Sequence, residues 1–350
     1  MSTTIKEVAR KAGVSIATVS RALNNVGPVD DHTRLLVQKT ARELHYVPSA
    51  LGRNLSRRKT EAIGLVLPDL FGEFFSEVIR GTDQAAQQHH YHLLVSSSHN
   101  SRDEIEAALR AMRGRVDGLI IMSPHIDART LHENLPSGLP TVLLNCAVRE
   151  GDFDSVNIDN FGGARAMTQH LLGHGHRRIA FIGGAPQNLD ASERLRGFRQ
   201  ACAEASLAPG DVLEVTGDFS EASGYGAVRT LLEGTQAPTA VFAANDSMAI
   251  GALSALRESG LRVPGDVGLA GFDDIPIAGY LTPALTSVRV HISELGTLAM
   301  LRVLRAIRER GLHTWGHEII RADLSIRASC GCPHGGSADN GGPAPRSIAD

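Results

Sequence analysis

The chain has 350 residues, 42% of them hydrophobic and 21% charged. That is too long for one small module, so two or three compact units are expected, and no apolar run approaches the ~18 residues of a membrane span. The net charge of -3 is unevenly placed: residues 1–60 carry 11 Lys and Arg against 4 Asp and Glu, leaving 24 against 34 for the rest, so the head is +7 and the body -10. A basic head on an acidic body fits nucleic-acid binding, because phosphate neutralisation needs cations gathered on one part; a merely solvated basic surface is the bland alternative.

The first residues place a charge at Lys6 and no apolar stretch before a small-residue cleavage site. No secretory signal is read there, so the chain is expected in the cytoplasm without a membrane partner. Four scattered cysteines, Cys146, Cys202, Cys330 and Cys332, suit a reducing compartment better than a disulfide framework.

From Ile5 to Tyr46 the pattern is helical in three segments. Thr4-Ile5-Lys6-Glu7 is a capping box and Gly13 can close a helix with positive φ, which predicts a first helix over 5–12. Ser15 is a good N-cap for a second, with Val19, Ala22 and Leu23 inward and Ile16, Ala17, Ser20 and Arg21 outward. A third starts near Asp30 or Asp31 and turns Leu36, Val37, Ala41 and Leu44 to the same core. Three helices with one tight turn make a helix-turn-helix head, expected over 1–47. Its second helix would enter the major groove, with Ile16 and Ala17 on thymine methyls and Arg21 across guanine O6 and N7. Ser15, Thr18, Ser20, Asn24 and Thr33 are candidate phosphate contacts.

Thr4-Ile5-Lys6-Glu7-Val8-Ala9, Ala12-Gly13-Val14-Ser15 and Thr18-Val19-Ser20-Arg21-Ala22-Leu23-Asn24 together resemble the lactose/galactose repressor family of bacterial transcriptional regulators. The likeness extends from residue 4 to about 328. It implies a repressor that binds a palindromic operator as a homodimer and answers to a small effector. It also implies a hinge helix over 48–60 that folds on DNA, where Leu55 wedges into the minor groove. Gly52 departs from a good helix former, so this hinge should depend more heavily on DNA to fold.

Beyond the hinge, apolar runs at 62–67, 92–95, 117–122, 141–144, 178–182, 239–243 and 267–271 alternate with amphipathic stretches at 73–88, 103–112, 160–172, 191–205, 246–258 and 291–308. That alternation predicts repeated βαβ units around parallel sheets. Segments 61–160 and 161–290 hold similar series without a close residue-level repeat. The expected architecture is an all-α head with its hinge helix, then a two-lobed α/β body over 61–328 that resembles periplasmic sugar-binding proteins. The family places its effector in the cleft between lobes and its dimer contacts on the body.

Arg194 matches the family arginine that makes bidentate bonds to ligand hydroxyls or carboxylate. Asn245 and Asp273 lie at carboxyl ends of predicted strands, where open α/β sheets bind ligands, with Asp246 expected to cap the next helix. Phe74 or Phe75 would stack on a sugar face, or else both are core aromatics. Asn145, Asp159, Asp190 and Phe219 occupy comparable strand-end and loop places. Polar and aromatic residues without concentrated positive charge favour a neutral polyol, a sugar or nucleoside, over a phosphorylated metabolite, and an inducer-released repressor of carbohydrate-utilisation genes.

Fifteen histidines lack metal-site spacing, and Cys330-Gly-Cys332 cannot complete a tetrahedral site alone, so no metal or cofactor is expected. No G-x-G-x-x-G opens the first βα turn, and neither a phosphate loop nor a nucleophile elbow occurs, so the chain is not read as an enzyme. A transporter-linked solute receptor, the second rival, is opposed by the DNA-reading head. Gly- and Pro-rich residues 329–350 are expected as a disordered tail.

Overall fold

The computed structural model describes residues 3–24, 27–46, 59–123, 126–146, 153–234, 237–309 and 312–331. Most of the expected hinge, with Pro48, Gly52 and Leu55, and the tail from Cys332 onward lie outside these residues. The described residues fall into two units, a head and a body, which divide at Glu61 and Ala62, with Gly114–Asp117 grouping with the head.

In the head, α1 (Ile5–Ala12), α2 (Ile16–Asn24) and α3 (Asp31–Glu43) surround Val8, Ala9, Ala12, Val19, Ala22, Val37 and Ala41. Glu7 returns its carboxylate to the Thr4 N–H at 2.7 Å, and Gly13, at φ 66°, closes α1 with its N–H on Ala9 O. The Ser15 hydroxyl accepts from the Thr18 N–H at 3.1 Å, and Asp30, one of the two expected caps, accepts from the Thr33 N–H at 2.9 Å. These caps satisfy donors that a helix start leaves orphaned, each stabilising by ~1 kcal/mol. One inward expectation is corrected: Leu36 is 40% exposed, and Thr40 takes the buried place between Val37 and Ala41. Residues 37, 40, 41 and 44 follow the helical period from Val37, and Leu36 lies one step off that stripe.

The body holds two six-stranded sheets. The first runs β11-β5-β4-β3-β1-β2, built from β1 (Ala62–Leu67), β2 (His92–Ser97), β3 (Gly118–Met122), β4 (Thr141–Leu144), β5 (Asp154–Ile158) and β11 (His317–Ile320). The second runs β12-β10-β9-β8-β6-β7, built from β6 (Ile179–Gly183), β7 (Val212–Thr216), β8 (Ala240–Ala243), β9 (Gly268–Asp273), β10 (Thr286–Arg289) and β12 (Asp323–Ser325). The order 2-1-3-4-5 of the first sheet recurs as 7-6-8-9-10 in the second, so the repeat invisible in the residues is plain in the topology. Central strands buried on both faces read as unbroken apolar runs, as in Ala62–Leu67. The pairing is parallel throughout except for β10 with β12.

The helices are α4 (Glu73–Gln88), α5 (Arg102–Met112), α6 (Ala128–Asn134), α7 (Asn160–Gly173), α8 (Leu189–Glu204), α9 (Glu221–Leu232), α10 (Asp246–Glu258) and α11 (Ile292–Arg308). Two lobes split at 160 and ended at 290 are not what forms: α11 packs on α4, β3, β4 and β5, and β11 pairs with β5, so the first lobe reclaims both from the far end of the chain. Among the described residues the chain therefore crosses between lobes three times, near Asp159, near Val290–His291 and near Arg321–Ala322. In the second lobe Phe181 stacks on Phe198 at 4.9 Å and meets Phe242 edge-on at 5.3 Å, all fully buried. Each such side chain stabilises the lobe by about 1.5–3 kcal/mol.

Ser329 and Cys330, expected in the tail, belong to this core. Cys330 is 1% exposed, and the Ser329 hydroxyl donates to Leu269 O at 2.6 Å and accepts from the Thr286 N–H at 2.8 Å. Buried polar groups with partners hold these residues where composition alone predicted disorder.

Candidate functional site

On the head, Ile16, Ala17 and Arg21 share an exposed face of α2, with Ile16 44% exposed. Ser15, on the turn before α2, bonds Thr18 through its hydroxyl as well, at 2.9 Å, while Asn24 Nδ2 donates to Ser20 Oγ at 3.4 Å. Thr33, whose N–H is taken by the Asp30 cap, sits in the first turn of α3. An apolar tip, a guanidinium with no partner among the described residues and a rim of short hydroxyls have the chemistry that base edges and phosphates require.

In the body a cavity of about 500 Å³ opens at the carboxyl ends of the strands of both lobes. Eight of the nine cleft expectations line it: Phe74, Phe75, Asn145, Asp190, Arg194, Phe219, Asn245 and Asp273. Asp159 is the exception. Its carboxylate accepts from the Gly162 N–H at 2.8 Å and caps α7, so its strand-end position serves the helix rather than the cavity.

Arg194, 4% exposed on α8, organises the polar wall. Its Nε donates to Asn160 Oδ1 at 2.8 Å, its Nη1 donates to Ala244 O at 2.5 Å and lies 3.2 Å from Asp273 Oδ1, and its guanidinium lies 3.8 Å over the Phe272 ring. Asn160 completes the chain by donating Nδ2 to Asp190 at 2.8 Å. Burial pushes the carboxyls of both Asp190 and Asp273 up to about 6, against the pull of Arg194. Hydrogen bonds from Ser220 act the other way on Asp218 and hold it below its ordinary value.

Asn145 donates its backbone N–H to Val156 O at 3.1 Å and accepts from the Ile158 N–H at 3.0 Å, which fixes β4 against β5 at the cavity floor. Phe219, at φ 74°, covers Gly184 so closely that a Cβ there would meet its ring at 2.2 Å. Asn245, not Asp246, caps α10 through the Met248 N–H at 2.9 Å, while its Nδ2 holds Phe219 O at 3.0 Å. Asp246 is fully buried and accepts from Ser287 Oγ and the Ile275 N–H. Phe74 and Phe75 meet edge to face at 5.4 Å and pack on the core while lining the cavity, so the two expectations for them are not exclusive.

Sequence reasoning missed Asp69, Phe71, Glu73, Asn188, Asp218 and Glu221, which also line the cavity. Asp69, Phe71 and Glu73 lie between β1 and the first turn of α4, Asn188 caps α8 after β6, and Asp218 and Glu221 lie between β7 and the first turn of α9; β7 itself has no apolar run to announce it. Among the described residues no group of three or more His, Cys, Asp or Glu is set to hold a metal, and no helix is long and apolar enough to cross a membrane. Cys146, Cys202 and Cys330 are buried, and burial pushes the first two thiols up to about 12 and about 11.

Residues 4–49 match the family described as bacterial regulatory proteins, lacI family, and residues 168–330 match a periplasmic binding protein-like domain. The HTH-type transcriptional repressor PurR of Edwardsiella ictaluri is 38% identical over 311 residues, which cover 88% of this chain and 91% of that one. The ribose operon repressor of Escherichia coli is 37% identical over 300 residues, covering 85% and 91%. Among solved structures, the Lac repressor dimer bound to operator and the anti-inducer ONPF superposes with a TM-score of 0.83 at 28% identity, covering 94% and 99%. A helix-turn-helix head and a doubled α/β body with a polar cleft are thus matched along most of both chains: this chain belongs to the lacI family, and it is an effector-controlled, DNA-binding transcriptional regulator rather than an enzyme.

Proposed function

We propose that this regulator acts in the cytoplasm as a homodimeric repressor of carbohydrate-utilisation genes, and that a neutral polyol entering the cleft releases it from a palindromic operator. The charge balance of the cavity carries the ligand class. Six carboxylates, Asp69, Glu73, Asp190, Asp218, Glu221 and Asp273, line it against one cation among the described residues, Arg194. That cation is already engaged by Asn160, Ala244 and Asp273. Such a wall accepts hydroxyl donors and repels phosphate. Phe74, Phe75 and Phe219 offer apolar faces for a ring, as sugar and nucleoside ligands require. Two structural neighbours carry sugars in their descriptions, cellobiose and ribose, which supports the same class.

In this reading Arg194, Asn145, Asp190, Asn245 and Asp273 orient the hydroxyls. On DNA, Ile16, Ala17 and Arg21 read bases, Ser15, Thr18, Ser20, Asn24 and Thr33 hold phosphates, and Leu55 enters the minor groove. The deciding experiment selects operator DNA from a random library with the purified full-length protein, with and without a panel of pentoses, hexoses, nucleosides and their phosphates. Enrichment of a palindrome that one neutral sugar or nucleoside abolishes is the expected result. Enrichment that only a phosphorylated compound alters would overturn the ligand class, and enrichment strengthened by the ligand would overturn its sign.

A further inference from the structure

β9 ends on Asp273 and the chain continues through Asp274, two successive non-glycine residues with positive φ, 107° and 56°. Such conformations cost of order 1–3 kcal/mol each and persist only where their surroundings over-determine them. The two side chains serve different parts of the body. Asp273 lines the ligand cleft beside Arg194, 3.2 Å from its Nη1. Asp274, its carboxylate 6% exposed, takes two arginines: Arg289 Nε donates to Oδ2 at 2.7 Å, and Arg327 Nη1 lies 2.6 Å from Oδ1.

Arg289 stands beside one interlobe crossing, and Arg327 follows the short strand that begins after another. Arg289 closes β10 immediately before the chain passes to α11, and its Nη2 donates to Ser325 Oγ at 2.8 Å in β12, just after the crossing at 321–322. Arg327 follows β12 and returns a hydrogen bond to Leu285 O at 2.7 Å. Behind the pair, the Asp274 N–H donates to Ser287 Oγ and the Ile275 N–H to Asp246, so the backbone is held on both sides. The rigid peptide between residues 273 and 274 leaves little play, because a turn at one φ/ψ pair must be absorbed by the other. Asp273 also lines a second cavity, of about 470 Å³, together with Asp274, Arg289 and His291. The cleft and the crossings thus meet at this dipeptide.

We infer that Asp273–Asp274 is the mechanical link between the ligand cleft and the interlobe crossings, with Asp274 the positioning residue that passes a displacement of Asp273 to Arg289, Arg327 and the two crossing segments. Its role in regulation rests on the cleft being the effector site. The link itself is tested without any ligand, so failure of one reading is distinguishable from failure of the other.

Hydrogen–deuterium exchange on the full-length protein compares wild type, Asp273→Asn, Asp274→Asn and the double variant, both replacements being close in shape. Segments 286–292 and 321–327 are expected to exchange at least about threefold faster in each single variant, with no further gain in the double, the signature of coupled residues. Should Asp274→Asn not fold, Arg289→Lys takes its place in the cycle, since it keeps the charge and loses the arm to Ser325. Exchange in those segments that Asp273→Asn leaves untouched, or single effects that multiply in the double variant, would overturn the link and leave Asp274 a local brace.

Discussion

On the head, the groups assigned to DNA are held by neighbours three or four residues away: Ser15 by Thr18, Asn24 by Ser20, Thr33 by Asp30. In the cleft, comparable groups reach across the chain, Arg194 to Asn160 and Ala244 at separations of 34 and 50 residues and Asn245 to Phe219 at 26. The first arrangement sets exposed side chains on a helix that is complete in itself. The second exists only once the whole second lobe has folded, and it buries charge that must then be compensated. Damage should accordingly stay local in the head and spread through the fold in the cleft.

The largest expected effect is at Arg194. Replacement by Ala removes the partner of Asp273, the anchor of Asn160 and the guanidinium over Phe272 at once. Removing one member of a buried pair costs about 3–5 kcal/mol, so Arg194→Ala should lower the denaturation midpoint of the body sharply and abolish the response to effector. A variant of wild-type stability that merely binds ligand more weakly would show that the cleft is as local as the head.

Asp190 and Asp273 sharpen the contrast through pH. Their folded values, raised to about 6, exceed those of an unfolded Asp, so between about pH 4 and 6 the native state binds more protons and stability falls as pH rises, by at most about 1.4 kcal/mol per unit for one group. Chemical denaturation from pH 4 to 7 measures this slope. Asp190→Asn and Asp273→Asn should each flatten it; an unchanged slope in both would place its origin outside the cleft. Acids of the head such as Glu7 and Asp30, exposed and held below their ordinary values by backbone N–H bonds, contribute with the opposite sign and lose stability only as pH falls.

Arg21→Ala tests the other region. One bidentate base contact is worth about 1–3 kcal/mol of discrimination, so the variant should bind operator less tightly and lose preference at one position of each half-site while unfolding as the wild type does. Equal weakening on all sequences, read in a competition assay, would assign Arg21 to phosphate instead.

The same contrast explains how much was legible in the sequence. Helix α1 and the caps at Thr4 and Ser15 could be read, and the third cap narrowed to Asp30 or Asp31, because a capping box, a Gly at positive φ and a 3.6-residue stripe act over short spans; Leu36 misled because it stood beside the stripe. In the body, apolar runs announced the buried strands β1 and β4, whereas β7, β11 and β12, at or near sheet edges, carry no such run. Arg194, Asn245 and Asp273 could be placed on the cavity wall because strand ends and a family motif marked them. Asp218 and Glu221 were missed because the strand before them was, and Asp159 was overcalled because a strand end followed directly by a helix wants a cap as much as a ligand. That Asn245, not Asp246, does the capping is a one-residue matter which spacing does not resolve. The return of α11 and β11 to the first lobe is a long-range pairing that no local signal encodes.

The smallest expected effect separates two duties of one hydroxyl. Ser15 Oγ caps α2 through the Thr18 N–H and is also proposed to face phosphate. Ser15→Ala should cost about 1 kcal/mol of head stability by leaving that donor orphaned. Asn is a comparable N-cap of different reach, so Ser15→Asn should restore the unfolding midpoint and not the operator affinity. If Asn restores both, the hydroxyl only holds the helix, and the phosphate contacts of the head begin at Thr18.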